Sequence, residues 1–222
     1  MISGAQALVA ALKKQNVNTI FGYPGVAICP FYDELSNSGI RHILVRQEQN
    51  AGHAASGYAR ISGHPSVCVA TSGPGAVNLI TALATAYMDS VPLVAITGQV
   101  SSDLLGRDVF QEADITGAAE PFTKYSYLVK DPADIPRIVN EAFYIAASGR
   151  PGPVLIDLPI DIQQAEFDET TVADAQHLPG YHPITTGPKS QINRVVSAIK
   201  RAKKPLICAG GGVISAGAQQ EL

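Results

Sequence analysis

Hydrophobic positions along the chain change period repeatedly, from helical spacing to short unbroken runs and back. Ala5, Leu8, Val9 and Leu12 predict a helix over residues 4–15, ending in Lys13 and Lys14 where cations suit the helix C-terminus. Residues 18–21 read as a strand, and Gly22-Tyr23-Pro24-Gly25 as a turn into a short helix reaching Leu35. The pattern then repeats. Strand 42–45 precedes helix 49–61; strand 66–71 precedes the turn Ser72-Gly73-Pro74-Gly75 and helix 76–88; strand 93–97, helix 134–148 and strand 153–158 follow. Residues 99–125 show little periodicity, as expected of a long segment that is either functional or a cover.

Strand, turn and helix repeated this often predict an α/β fold, a parallel sheet with helices on both faces. The runs Val67-Cys68-Val69-Ala70 and Leu93-Val94-Ala95-Ile96 are apolar at every position, which suits strands buried on both sides. Ligands of such sheets gather at the carboxyl ends of the strands, and that rule selects the loops to inspect. Residues 1–166 form the expected first domain. Over 167–189 periodicity fades and Pro, Gly, Thr and His accumulate, which reads as a linker. Residues 190–222 then begin a second α/β domain: helix 190–203, strand 206–209, and a turn at Gly210-Gly211-Gly212. One strand and two helices cannot bury a core, so this second domain is expected to be incomplete.

Composition narrows the function classes. The net charge is −3 and the pI near 5.9, which gives no electrostatic case for nucleic acid. The one basic cluster, Lys200, Arg201, Lys203 and Lys204, reads as a helix C-terminus. No apolar run approaches the ~20 residues of a membrane span, and the first 14 residues lack the basic-then-apolar order of a secretory signal. Cys29, Cys68 and Cys208 sit in apolar surroundings at no metal-ligand spacing, which predicts buried free thiols, a cytoplasmic location and no metal site on this chain.

Four loops could carry chemistry. Glu48 directly follows the strand ending at Val45, where desolvation can raise a carboxyl pKa and favour proton exchange; capping the next helix, or pairing with Arg46 or Arg60, is the alternative. Ser72-Gly73-Pro74-Gly75 could seat a phosphate at a helix start, or be a tight turn alone; it matches neither common phosphate-loop pattern. Gly22 to Gly25 is either a turn or a place where a ligand approaches backbone. Phe110-Gln111-Glu112 lies in the aperiodic segment. His53 reads as a packing residue on a helix face, and Gly210 to Gly217 only faintly suggests a dinucleotide turn.

The segments FGYPGVAICPFYDEL, EQNAGHAASGYAR, TSGPGAVNLITALATAYMDSVPLVAITGQV, GRDVFQEAD and SGRPGPVLIDLP occur in one order over nearly all of residues 1–165. In that order and spacing they resemble the catalytic subunits of acetolactate synthase, a thiamine-diphosphate enzyme. TSGPG is shared widely among such enzymes, whereas FQEAD with SGRPGPVLIDLP narrows the group. The resemblance implies a first domain that holds the cofactor's aminopyrimidine, and it turns the phosphate reading of TSGPG into a pyrimidine site.

Residue by residue, the resemblance implies that Glu48 is the catalytic glutamate, which hydrogen-bonds the pyrimidine ring nitrogen and promotes its imino tautomer. Tyr23, Pro24 and Gly25 would form the loop near the cofactor's reactive end, and Thr71, Pro74, Gly75 and Asn78 would line the pyrimidine. Gln111, beside Phe110, would stand near the reacting substrate. Arg150 would contact a structural FAD, which Gly211 and Gly212 would approach. The implied substrates are pyruvate and a second 2-oxo acid, and the implied assembly is a homodimer or homotetramer with a possible regulatory small subunit. Mg²⁺ and the diphosphate would be held by a GDG…N motif of a further domain, supplied by the dimer partner; no such motif occurs in these 222 residues.

Val26 stands where the family usually has Gly, Gln47 where it has His, Ser101 where it has Pro and Ile160 where it has Lys. These departures bear on channel shape and on the choice of second substrate. Two other readings stay open at this point: a different thiamine-diphosphate oxidase or decarboxylase of pyruvate, and a folded module that binds without catalysing.

Overall fold

The computed structural model describes residues 1–169 and 178–222, and its contacts divide the chain into two units, 1–181 and 182–222. Part of the expected linker, residues 170–177, lies outside the described residues.

The first unit begins with a two-residue strand β1 (Ile2–Ser3) and helix α1 (Gly4–Lys14). Ser3 caps α1 through a reciprocal box: its hydroxyl accepts from the Gln6 amide while the Gln6 side chain accepts from the Ser3 amide. Strand β2 (Thr19–Gly22), a 3₁₀ turn at Val26–Ile28 and α2 (Cys29–Ser36) follow, then β3 (Arg41–Leu44) and α3 (Glu48–Ser62). Gly63, at φ 75°, closes α3 in the left-handed conformation that glycine adopts without strain. Next come β4 (Ser66–Ala70), α4 (Pro74–Val77), α5 (Ile80–Met88) and β5 (Leu93–Gln99). The chain continues through α6 (Ile115–Ala119), β6 (Tyr125–Leu128), α7 (Ile135–Ala147), β7 (Pro153–Pro159), α8 (Ile160–Gln164) and β8 (Glu166–Phe167), which pairs antiparallel with β1.

Six strands form one parallel sheet in the order β3-β2-β4-β5-β7-β6. The interior strands alternate their side chains between two cores, as strand geometry requires. Val67, Val69, Val94, Ile96, Val154 and Ile156 join the core packed by α1, α2 and α7. Cys68, Ala70, Leu93, Ala95 and Leu155 join the core packed by α3 and α5. The expected parallel α/β sheet with helices on both faces is therefore present. Chain order reverses between β2 and β4: β3 is laid down on one side of β2, and every later strand of this sheet on the other. The crevice outside the carboxyl ends of these two strands is where such folds bind ligands.

The structure differs from the sequence reading in several places. The single helix expected over 76–88 is broken at Asn78-Leu79 into α4 and α5. Strand β6 and helix α6 form inside or beside the segment read as aperiodic, because β6 is an edge strand completed by pairing with β7 rather than by its own pattern. Cys29 and Cys208 are exposed, and only Cys68 is buried. Cys29 begins α2 at the surface, and Cys208 belongs to a unit with no buried residue among those described. His53 points outward on α3 rather than packing.

The second unit holds α9 (Lys189–Arg201) and α10 (Gly211–Ser215). Lys200 and Arg201 fall in the last turn of α9. No strand forms over 206–209, since a strand needs a neighbour to satisfy its N–H and C=O groups and none is available among the described residues of this unit. Ile192, Val195, Val196 and Ile199 lie exposed at helical spacing on α9 and form an apolar stripe. No helix of the described residues is long and apolar enough to cross a membrane.

Ile96 is fully buried at the middle of β5, between β4 and β7. Ile96→Ala is expected to cost about 2–5 kcal/mol of unfolding free energy in urea titration, by lost transfer energy plus a cavity. A cost under about 1 kcal/mol would contradict a close-packed centre at β5.

Candidate active site

Two backbone turns meet at the carboxyl edge of β2 and β4. Tyr23 N–H donates to the Val69 carbonyl at 3.2 Å, which ties the start of the 22–25 turn to β4. A Cβ built on Gly25 would stand 2.5 Å from Thr71 Cβ, and one on Gly75 would stand 2.7 Å from Thr71 Cγ2. Thr71 is thus enclosed by two glycine backbones that no larger residue could bring so close. Its Oγ1 is buried and without a hydrogen-bond partner among the described residues, which is costly in a finished interior. Buried Gln163 secures the same turn from below, donating to the Ala27 and Leu158 carbonyls at 2.8 and 3.0 Å.

Glu48 is the first residue of α3 and is half-buried. Arg60 pairs with Asp89 at 2.6 Å instead, and Glu48 has no ion pair among the described residues. Its Oε2 accepts from Asn78 Nδ2 at 3.0 Å. Its Oε1 turns toward Gly75, 3.3 Å from where a Cβ there would stand. The break between α4 and α5 has a consequence here, since it puts Asn78 at the end of α4, facing Glu48 across 30 residues of sequence. Pro74, exposed, opens α4.

Gln111 comes to the same place from the long segment after β5. A Cβ on Gly73, itself at φ 57°, would lie 2.5 Å from the Gln111 carbonyl oxygen. Gln111 has φ 57° and Asp108 φ 53°, a left-handed backbone rare for residues with a side chain and found preferentially at functional loops. The Glu112 carboxylate closes this loop by accepting from the Gly106 and Val109 amides, which hold it below its ordinary range. Phe110, at the tip, is 86% exposed. Val26, also at the rim, is 77% exposed.

The structure therefore gathers Tyr23, Pro24, Gly25, Glu48, Thr71, Pro74, Gly75, Asn78, Phe110 and Gln111 around one edge of the sheet. Arg150 lies elsewhere, before β7 and so at the opposite, amino edge. Its Nε donates to Ser90 Oγ at 2.8 Å and its Nη2 to the Met88 carbonyl at 3.1 Å, capping the end of α5. Gly211 and Gly212 start α10 in the second unit, and a Cβ on either would meet nothing within 4 Å.

A buried carboxyl near the site escaped the sequence reading. Asp157 on β7 is 2% exposed; Oδ1 accepts from Thr97 Oγ1 at 2.7 Å and Oδ2 from Gln99 Nε2 at 2.9 Å. A lone acid within the otherwise apolar run Val154–Leu158 was the available signal. Burial pushes Asp157 up to about 7, against the two hydrogen bonds that favour its charge. Burial likewise pushes the Cys68 thiol up to about 12, which suits an inert core residue.

Comparison with known proteins identifies the family. A family model described as thiamine pyrophosphate enzyme, N-terminal TPP binding domain, matches residues 2–118. The chain belongs to the thiamine pyrophosphate enzyme family. It is 53% identical over 222 residues to an acetolactate synthase large subunit of Corynebacterium glutamicum, covering 100% of this chain and 35% of that protein. It is 51% identical over 223 residues to a probable acetolactate synthase large subunit of Methanocaldococcus jannaschii, 100% and 38% respectively. To the acetolactate synthase isozyme 3 large subunit of Escherichia coli K12 it is 49% identical over 224 residues, covering 100% and 39%. The chain thus spans little more than a third of the length of these relatives.

Asp157 gives a pH prediction. Its ordinary value is 3.8 and its folded value about 7. Between these pH values the unfolded chain releases the proton while the folded chain retains it, so rising pH favours unfolding. The contribution is full below pH 4 and gone above pH 7. Urea midpoints of the native chain should therefore fall relative to those of Asp157→Asn as pH rises through this window. Parallel midpoint curves would contradict the assignment.

Proposed function

We propose that this chain is the pyrimidine-binding portion of an acetolactate synthase catalytic subunit. The observation that carries the proposal is the Glu48–Asn78 pair beside the Thr71 cradle, at the strand-order reversal of a thiamine pyrophosphate enzyme domain. The residues present fit thiamine diphosphate: an unpartnered Thr71 hydroxyl, two close glycine backbones and one carboxylate meet at one crevice. Thiamine diphosphate, when bound, supplies the carbon nucleophile and electron sink for decarboxylating a 2-oxo acid and joining its two-carbon remainder to another.

The chain's own residues do the rest. Asn78 occupies Glu48 Oε2 and so directs Oε1 toward Gly75 as the atom that holds and passes a proton at the aminopyrimidine. Thr71, Gly25 and Gly75 would hold the ring, with Pro74, Tyr23 and Pro24 at its border. Gln111, held against Gly73, offers an amide to the 2-oxo acid, and Phe110 helps exclude water from it. Pyruvate is the first substrate and a second 2-oxo acid the acceptor, as the resemblance to acetolactate synthases implies.

We read Mg²⁺ and the diphosphate as held outside this chain, as the resemblance to acetolactate synthases implies. The diphosphate and its metal then belong to another part of the assembly, which favours a homodimer or homotetramer with shared sites. FAD is not fitted by these residues alone. Arg150 already caps α5 and Gly211 and Gly212 form no cradle, so no step is assigned to a flavin. The name large subunit among the relatives suggests a regulatory small subunit as partner. Three unpaired cysteines suit a reducing cytoplasm.

In the complete protein, Glu48→Gln should lower acetolactate formation from pyruvate by about 10²–10⁴-fold, with folding intact. Near-normal turnover would refute the role of Glu48. Acetaldehyde or acetyl phosphate in place of acetolactate from the unaltered protein would point to another reaction of the same family.

A further inference from the structure

We infer that Asp157, through Gln99, is a positioning residue that holds the Gln111 loop against the cofactor cradle; this rests on the proposed function for its kinetic consequence, though not for its structural one. Thr97 and Asp157 are direct register partners on neighbouring parallel strands β5 and β7. Thr97 is fully buried, and Gln99 and Asp157 are each 2% exposed, so none of the three can satisfy its polar groups with water.

Gln99 is the connecting group. Its Nε2 has two hydrogens: one goes to Asp157 Oδ2 at 2.9 Å, the other to the Ala113 carbonyl at 2.9 Å. Its Oε1 accepts from the Val100 amide at 2.9 Å. Every polar atom of the amide is thereby used, and its orientation is fixed from three sides. Ala113 lies two residues beyond Gln111, at the point where the loop closed by Glu112 returns to the body of the unit. On its other side the loop is stopped by Gly73, whose missing side chain leaves room for the Gln111 backbone. The left-handed backbone at Asp108 and Gln111 must be held by such surroundings, since relaxation away from it is downhill.

Asp157 decides which way the Gln99 amide points. Above pH 7, where the carboxyl is ionised, Oδ2 can only accept, so the NH₂ end of Gln99 faces it and the second hydrogen of that NH₂ reaches the Ala113 carbonyl. In Asp157→Asn the shape is kept, while one oxygen becomes a donor. Thr97 Oγ1 can donate or accept, but Gln99 Nε2 can only donate. The substituted amide can keep both neighbours only if its oxygen faces Gln99 and its NH₂ faces Thr97. That arrangement rests on a reversed Thr97 hydroxyl and a weaker, neutral acceptor for Gln99. The grip on Ala113 is loosened in either orientation.

The test uses the complete protein, with Asp157→Asn, Gln99→Ala and the double variant beside Glu48→Gln. Hydrogen exchange of residues 106–113 reads the loop directly. It should speed up several-fold in Asp157→Asn and in Gln99→Ala, while the β4 and β5 amides keep their rates. In turnover assays each single variant should lose about 10- to 100-fold in kcat with the KM for thiamine diphosphate little changed, as misplacement near the reacting atoms does. The double variant should be no worse than Gln99→Ala, because both act through one contact. Unchanged exchange in 106–113 for both single variants would overturn the inference whatever the reaction is. So would unchanged kcat in both single variants alongside an inactive Glu48→Gln, a result that leaves the proposed function standing. Should Glu48→Gln be fully active, the proposed function fails and the exchange result alone decides the positioning role. If Asp157→Asn does not fold, Gln99→Ala carries the same two readouts.

Discussion

Thr71 is packed between Gly25 and Gly75 at distances that leave no room for a side chain on either. That close approach is what the rest of the site depends on. It requires that β2 and β4 be neighbours, so that the turns leaving them meet; it requires glycine on both sides; and it leaves the Thr71 hydroxyl buried with no partner among the described residues. Glu48 and Asn78 then border the same cradle from helices that start at the same edge of the sheet. A fold in which β4 did not cross to the far side of β2 would scatter these groups.

Two layers of support surround that contact. Gln163 ties the β2 turn to the end of β7, and Gln99 with Asp157 ties the long loop after β5 to the same strand. In both cases a buried amide directs its donors to backbone carbonyls or a carboxylate, so the polar groups under the site are satisfied while those at its surface are left open. Desolvation of Asp157 is the cost of this arrangement, and it falls on one residue in the sheet rather than on the groups that would meet cofactor.

Much of this was legible in the sequence, for identifiable reasons. Strands β4, β5 and β7 are unbroken apolar runs because they are buried on both faces, and α1 and α7 carry clear helical stripes. The turns at 22–25 and 72–75 announce themselves by glycine and proline. What could not be read was anything that depends on a partner distant in sequence. The edge strand β6 is defined by pairing with β7. The break at Asn78-Leu79 matters only because Glu48 lies opposite. Cys29 looks buried beside apolar neighbours but heads a surface helix, and Leu206 to Ala209 looks like a strand but has no strand to join among the described residues. Asp157 is hidden within a family motif, though an acid inside an apolar strand is itself a signal of a buried polar network.

The central claim is that the Thr71 cradle and Glu48 Oε1 together receive the aminopyrimidine of thiamine diphosphate. The most direct measurement is an experimental structure of the complete protein with that cofactor bound. The account predicts the pyrimidine ring over Gly25 and Gly75, with a ring nitrogen about 2.6–3.2 Å from Glu48 Oε1 and Asn78 still on Oε2. A pyrimidine bound elsewhere, or one whose ring nitrogens all lie beyond hydrogen-bond reach of Glu48, would contradict it.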